Sequence, residues 1–238
     1  MRPSRYKAQY INLRVNMVLH QSTEHPVSET HTQNVCINSY LSGISNINEK
    51  NRIIGLMRRY GYSSNDRVCM SKAFYGKASV RQCQKAVAVL IELQAYNNNL
   101  QEYYNTYFGL DCSGFVNCYF NTMHGIGERT IASYYHHGRR NVRDNFSDFK
   151  NNDILVWCDR NGAINSRGVS AQHIAIIDRV REIATDELRA TVVESTGTVG
   201  LVESIYIFFK TRENGVYRVY RPLKPNTHNH VRVVPVIS

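Results

Sequence analysis

The spacing of apolar positions changes period along the chain. Ile11, Leu13, Val15, Met17 and Leu19 alternate with Asn12, Arg14, Asn16 and Val18, which predicts a half-buried strand. Residues 20–47 mix Ser, Thr, Asn and His and read as a long loop or a loosely packed extension. Ile53, Leu56, Met57 and Tyr60 then recur at helical spacing, giving a helix over 48–60 that Gly61 stops. Residues 62–78 carry turn-forming Ser, Asn, Asp and Gly. Ser79 and Gln82 have the spacing of a capping box and open a helix over 80–96. Its inner face is Val80, Cys83, Val87 and Leu90, and Asn97-Asn98-Asn99 breaks it. A tyrosine-rich segment, 103–108, leads into a third helix. There Cys112, Phe115, Val116, Tyr119, Phe120 and Met123 form the apolar stripe, with Asp111 as N-cap and Gly125 as stop. The polar segment 125–152 reads as a surface loop with at most one helical turn.

After residue 152 the period shortens. Residues 154–158, 173–180, 188–195, 205–209 and 216–221 read as strands, and 231–237 as an edge strand limited by Pro235. Helices first and strands after is an α+β order, with an antiparallel sheet packed on the helices. The pattern divides into an N-terminal extension, 1–78, and a domain over 79–238.

Composition narrows the class. Among 238 residues, 42% are hydrophobic and 20% charged, enough for an ordinary core and against global disorder. A net charge of +10 favours an acidic partner such as nucleic acid, an anionic membrane surface or a cell-wall polymer. The basic residues are scattered, so a nucleic-acid arm is not indicated. Cysteines at 36, 69, 83, 112, 118 and 158 form no C-x-x-C pair and no zinc-ligand spacing, so no metal is expected. His136-His137 and His228-x-His230 read as surface residues. The basic start Met1–Lys7 precedes no unbroken apolar segment, so neither a secretory signal nor a membrane span is expected.

The candidate chemistry begins at Cys112. A thiol at a helix N-terminus meets the positive end of the helix dipole, which favours thiolate, the form that attacks carbonyls. His173 opens the strand His-Ile-Ala-Ile-Ile, sharing a face with Ala175 and Ile177. Glu194 shares a face with Val192 on the next strand. The midpoint between 173 and 194 falls beside the polar stretch 184–187, so a hairpin there makes the two side chains cross-strand neighbours. A one-residue slip would separate them. A carboxylate beside an imidazole fixes its tautomer, and the imidazole can take the thiol proton: the nucleophile–base–orienter arrangement of cysteine hydrolases.

Asp111-Cys112-Ser113-Gly114-Phe115-Val116 resembles the nucleophile motif of the NlpC/P60 family of papain-fold cysteine peptidases. Asn152-Asp153-Ile154-Leu155-Val156-Trp157 is similar to the strand that precedes the family's histidine, and His173-Ile174-Ala175-Ile176 to its histidine strand. Val192-Val193-Glu194-Ser195 stands where the family carries a third polar residue, usually histidine; glutamate there is closer to the related CHAP amidases. The resemblance covers about residues 80–221. It implies a papain-like α+β core, Cys112 as nucleophile, His173 as general base and Glu194 as orienter, with no metal or organic cofactor. Members cleave amide bonds of bacterial peptidoglycan stem peptides. The Cys112 backbone N–H would be an oxyanion donor, with Asp111, Ser113 and Tyr107 as further candidates at that position. The family's Tyr-x-x-Gly-Gly segment is absent; Tyr103, Tyr104 and Tyr107 stand nearby instead.

The resulting expectation is a peptidoglycan endopeptidase or amidase. Lacking a signal, it would be made in a bacterial cytoplasm and carried to a target cell's periplasm or wall by a specialised secretion route. A secretion apparatus and an immunity protein would then be partners. Two alternatives stay open: deamidation, transamidation or acyl transfer on host proteins or lipids, and a non-enzymatic basic binding module.

Overall fold

The computed structural model describes residues 1–20, 28–41, 46–96, 99–164, 173–223 and 229–236. It is an α+β fold in which helices pack against a closed antiparallel barrel. In chain order the N-terminal half runs α1 (Pro3–Ile11), β1 (Leu13–His20), β2 (Ser28–Val35), α2 (Ile47–Arg59), α3 (Ser64–Phe74), α4 (Val80–Glu92), α5 (Leu100–Tyr107), α6 (Cys112–His124) and α7 (Ile131–Asn141). A short 3-10 turn, Phe146–Asp148, leads to β3 (Ile154–Cys158), β4 (Ile174–Ile183), β5 (Glu187–Thr196), β6 (Gly200–Lys210), β7 (Tyr217–Tyr220) and β8 (Asn229–Val234).

The capping signals mark real helix starts. Ser79 and Gln82 exchange their hydrogen bonds at α4, and Asp111 caps α6, which ends at Gly125 in the left-handed region (φ 66°). Five local readings differ from the sequence pattern. Residues 3–11 are helical, so the first strand starts at Leu13 rather than Ile11, and β2 occupies part of the expected 20–47 loop. Residues 64–74 are helical rather than turns, because Ser63 and Asp66 form a second capping box and Met70, Ala73 and Phe74 bury one face. Residues 131–141 form a helix under a Thr130 cap, longer than one turn, anchored by buried Tyr134 and Tyr135. Tyr60, placed on the inner face of α2, is 67% exposed.

The expected open sheet is closed. β8 is not an edge: it pairs with β7 on one side and with β3 on the other, and Pro235 lies just past its last residue. Strand twist accumulated around six strands brings the first and last together, which gives the sheet an inside and an outside. Inside lie Leu155, Trp157, Ala175, Ile177, Ala190, Val192, Tyr206, Phe208, Tyr217, Val219, Val231 and Val233, with Phe146 and Phe149 packed on Tyr217. Outside, Ile154, Val156, Ile174, Ile176, Val193 and Val234 join the helix core with Tyr6, Tyr10, Phe115 and Val116. Tyr6, Tyr10, Ile53, Met57 and Phe74, from the first 78 residues, belong to that same core. No helix among the described residues is long and apolar enough to cross a membrane.

Candidate active site

The start of α6 is held from two sides. On one side the Gly76 carbonyl accepts the Asp111 N–H at 3.2 Å, and Gly76 sits at φ 70°. The helix passes so close to this strap that a Cβ on Gly114 would lie 2.0 Å from the same carbonyl oxygen. Asp111 accepts from the Gly114 N–H and pairs with Lys77 Nζ at 2.5 Å; Ser113 Oγ lies 3.1 Å from Asp111 Oδ1 and 2.5 Å from Lys77 Nζ. On the other side the Ser39 carbonyl accepts the Leu110 N–H at 2.9 Å, and the Leu110 carbonyl accepts from Ser195 Oγ at 2.5 Å. The Asn38 carbonyl accepts the Leu201 N–H at 2.9 Å, so residues 38–41 bridge the helix start and the β5–β6 hairpin. Ser195 follows Glu194, and Leu110 lies two residues before Cys112. The two halves of the candidate site are thus fixed to one another by backbone and hydroxyl groups.

Cys112 is 4% exposed. Burial pushes its thiol above the ordinary range, and the Asp111 charge adds to this; hydrogen bonds from the Ile174 and Ser113 backbone, and the Lys77 charge, act in the opposite direction. The Ile174 contact locates the sulfur against the first residue of β4, immediately beside His173.

Two irregularities in β4 align His173 with Glu194. Near the hairpin end Ile183 pairs with Leu188, a register that would extrapolate to Ile177 opposite Glu194. Register shifts between Ile177 and Arg179, and between Val180 and Glu182, move the pairing so that Ile176 faces Val193 and Ile177 faces Val192. Glu194 then falls opposite Ala175, one same-face position from His173. One shift alone would have turned the two to opposite faces.

His173 Nε2 lies 2.6 Å from Glu194 Oε2. Glu194 is fully buried yet accepts from several donors: Tyr206 Oη on Oε1, Arg221 Nε on Oε1 at 3.2 Å, and Arg221 Nη2 on Oε2. Burial alone would raise this carboxyl. The His173 hydrogen bond and charge, then Arg221, outweigh it and hold the group at about 2. Trp157 lies edge-on to the imidazole with ring centroids 4.5 Å apart, and the Arg221 guanidinium stands 5.3 Å from the indole centroid.

The structure therefore brings Cys112, His173, Glu194, Asp111 and Ser113 to one place. Asp111 and Ser113 are occupied with capping and with Lys77. Tyr107 packs in an aromatic layer, 4.7 Å from Tyr103 and 6.4 Å from Phe74 between ring centroids. All six cysteines are free, and Cys118 is a buried packing residue whose sulfur points at the Lys77 carbonyl at 3.3 Å. Among the described residues no His, Cys, Asp and Glu group could hold a metal ion; His228 lies outside them.

Sequence reasoning missed Arg221, Tyr206, Trp157 and Lys77. Arg221 was findable in part, since period 2 puts 217, 219 and 221 on one face. That this face meets Glu194 follows only from the curvature of the sheet. No family model matches the chain, and neither a curated protein nor a solved structure matches it.

Proposed function

We propose that the chain is a cysteine hydrolase with a papain-like arrangement of nucleophile and base, acting on amide bonds of peptidoglycan stem peptides. The observation that carries this reading is a helix-start thiol held against the first residue of β4, with the preceding residue, His173, bound through Nε2 to a buried ionised carboxylate. The three residues come from separate elements in the order Cys, His, Glu. The net charge of +10 suits an anionic wall substrate.

In this mechanism His173 Nε2 is committed to Glu194, so Nδ1 is the nitrogen that takes the Cys112 proton. The sulfur attacks the amide carbonyl, forming a C–S bond and a tetrahedral oxyanion. The Cys112 and Ser113 N–H groups belong to the first turn of α6, whose donors lack carbonyl partners within the helix, and they suit that charge. His173 returns the proton to the leaving nitrogen as the C–N bond breaks, leaving a thioester. Water, deprotonated by His173, then adds to the thioester; the C–S bond breaks, and the carboxylate and thiol are released.

Incubation with purified peptidoglycan and mass analysis of the fragments tests the reading. New stem-peptide fragments are expected from the native chain and none from Cys112→Ala.

A further inference from the structure

The described site holds one more charge than a Cys-His-Glu triad needs. Arg221 is 5% exposed, and its guanidinium pairs with both oxygens of Glu194. Its Nη2 also stands 3.2 Å from His173 Nε2, the nitrogen that Glu194 Oε2 approaches at 2.6 Å. A bare Nε2 so near an ionised carboxylate would set lone pair against lone pair. Nε2 must therefore carry the hydrogen, and Arg221 meets it donor against donor. That contact worsens if the ring becomes charged.

A charge count decides the consequence. Glu194 and Arg221 sum to zero in a buried site, and an imidazolium would leave it with a net positive charge. Without Arg221 the same imidazolium would neutralise the carboxylate. Tyr206 donates to Glu194 and Trp157 borders the imidazole, while Asp111, Lys77 and Ser113 lie beside the thiol.

We propose that Arg221 is a positioning residue that cancels the Glu194 charge and holds the resting pair as thiol and neutral imidazole, so that Cys112 is deprotonated only as it attacks. The inference rests on the proposed hydrolase for its catalytic meaning, but the protonation state is measured without substrate. Burial of Cys112 acts in the same direction.

The test is the pH profile of Cys112 alkylation by iodoacetamide, read on the Cys112 peptide by mass spectrometry, with thermal melts of each variant. The native midpoint is expected above that of an unperturbed cysteine. Arg221→Met should lower it by about one unit, a tenfold gain in reactivity below the midpoint. Arg221→Lys should stay near native, Glu194→Gln should raise it, and the double variant Glu194→Gln/Arg221→Met should return toward native. A purely structural role would change melting temperatures without this ordering by charge. A native plateau of reactivity below pH 7, or an Arg221→Met midpoint unchanged or raised, overturns the proposal. Peptidoglycan digestion run beside it separates the two ideas: native cleavage with a plateau below pH 7 refutes the Arg221 role alone. Absence of cleavage with the charge-ordered midpoints refutes the hydrolase alone.

Discussion

Gly114→Ala sets two forces against each other at the helix that carries the thiol. Helix propensity alone favours alanine over glycine by about 1 kcal/mol. The structure predicts the opposite sign. The new Cβ would sit 2.0 Å from the Gly76 carbonyl oxygen, where real Cβ atoms essentially never come within 3.0 Å, so helix and strap must part by at least about 1 Å. That opening stretches the 3.2 Å bond from the Asp111 N–H to Gly76 beyond hydrogen-bonding distance. Overpacking costs about 1–3 kcal/mol and the lost bond about 0.5–1.5 kcal/mol. Net of propensity, the variant should be about 2 kcal/mol less stable, melting about 4–8 °C lower for a chain of this length. Equilibrium urea unfolding gives the free energy and calorimetry the midpoint. A variant as stable as the native chain, or more so, would show that the strap does not clamp α6 and would refute the reasoning.

Other consequences follow from the buried polar groups around the site. Glu194 is held at about 2 in the folded chain against about 4.3 unfolded, so its contribution is complete above the unfolded value and lost as pH falls through about 2. That difference corresponds to about 3 kcal/mol, visible as a loss of urea stability between pH 4 and 2 that Glu194→Gln, itself less stable at neutral pH because it leaves Arg221 unpaired, should not show. Ser195→Ala should cost about 1–2 kcal/mol, because the buried Leu110 carbonyl loses its hydroxyl donor; native-like stability in urea would exclude that role for Ser195.

What the sequence makes legible is local. The Asp111 cap and the apolar stripe behind Cys112 place the thiol, because both signals lie on the same helix. The capping box at Ser79 is equally local, whereas α7 was hidden because only Ile131, Tyr134 and Tyr135 interrupt a polar run. Period 2 puts His173 on the face of Ala175 and Glu194 on the face of Val192. The contact of His173 with Glu194, however, depends on two register shifts in β4 that no composition signal marks. Tyr206 reaches Glu194 along the inner face of the β5–β6 pair, and Arg221 comes from the end of β7 on the other side of β6, so both contacts are set by the curvature of the sheet. The strap at Gly76 and the bridge at 38–41 likewise join segments distant in sequence. They give the first 78 residues a part in building the site that polar loop composition does not announce.

The central claim concerns the bond that Cys112 breaks. Intact purified peptidoglycan incubated with the native chain should release fragments whose masses match hydrolysis of one amide bond in the stem peptide. Cys112→Ala, folded by its melting curve, should release none. Equal fragment release by Cys112→Ala, or an unchanged peptidoglycan with the native chain, would contradict the account.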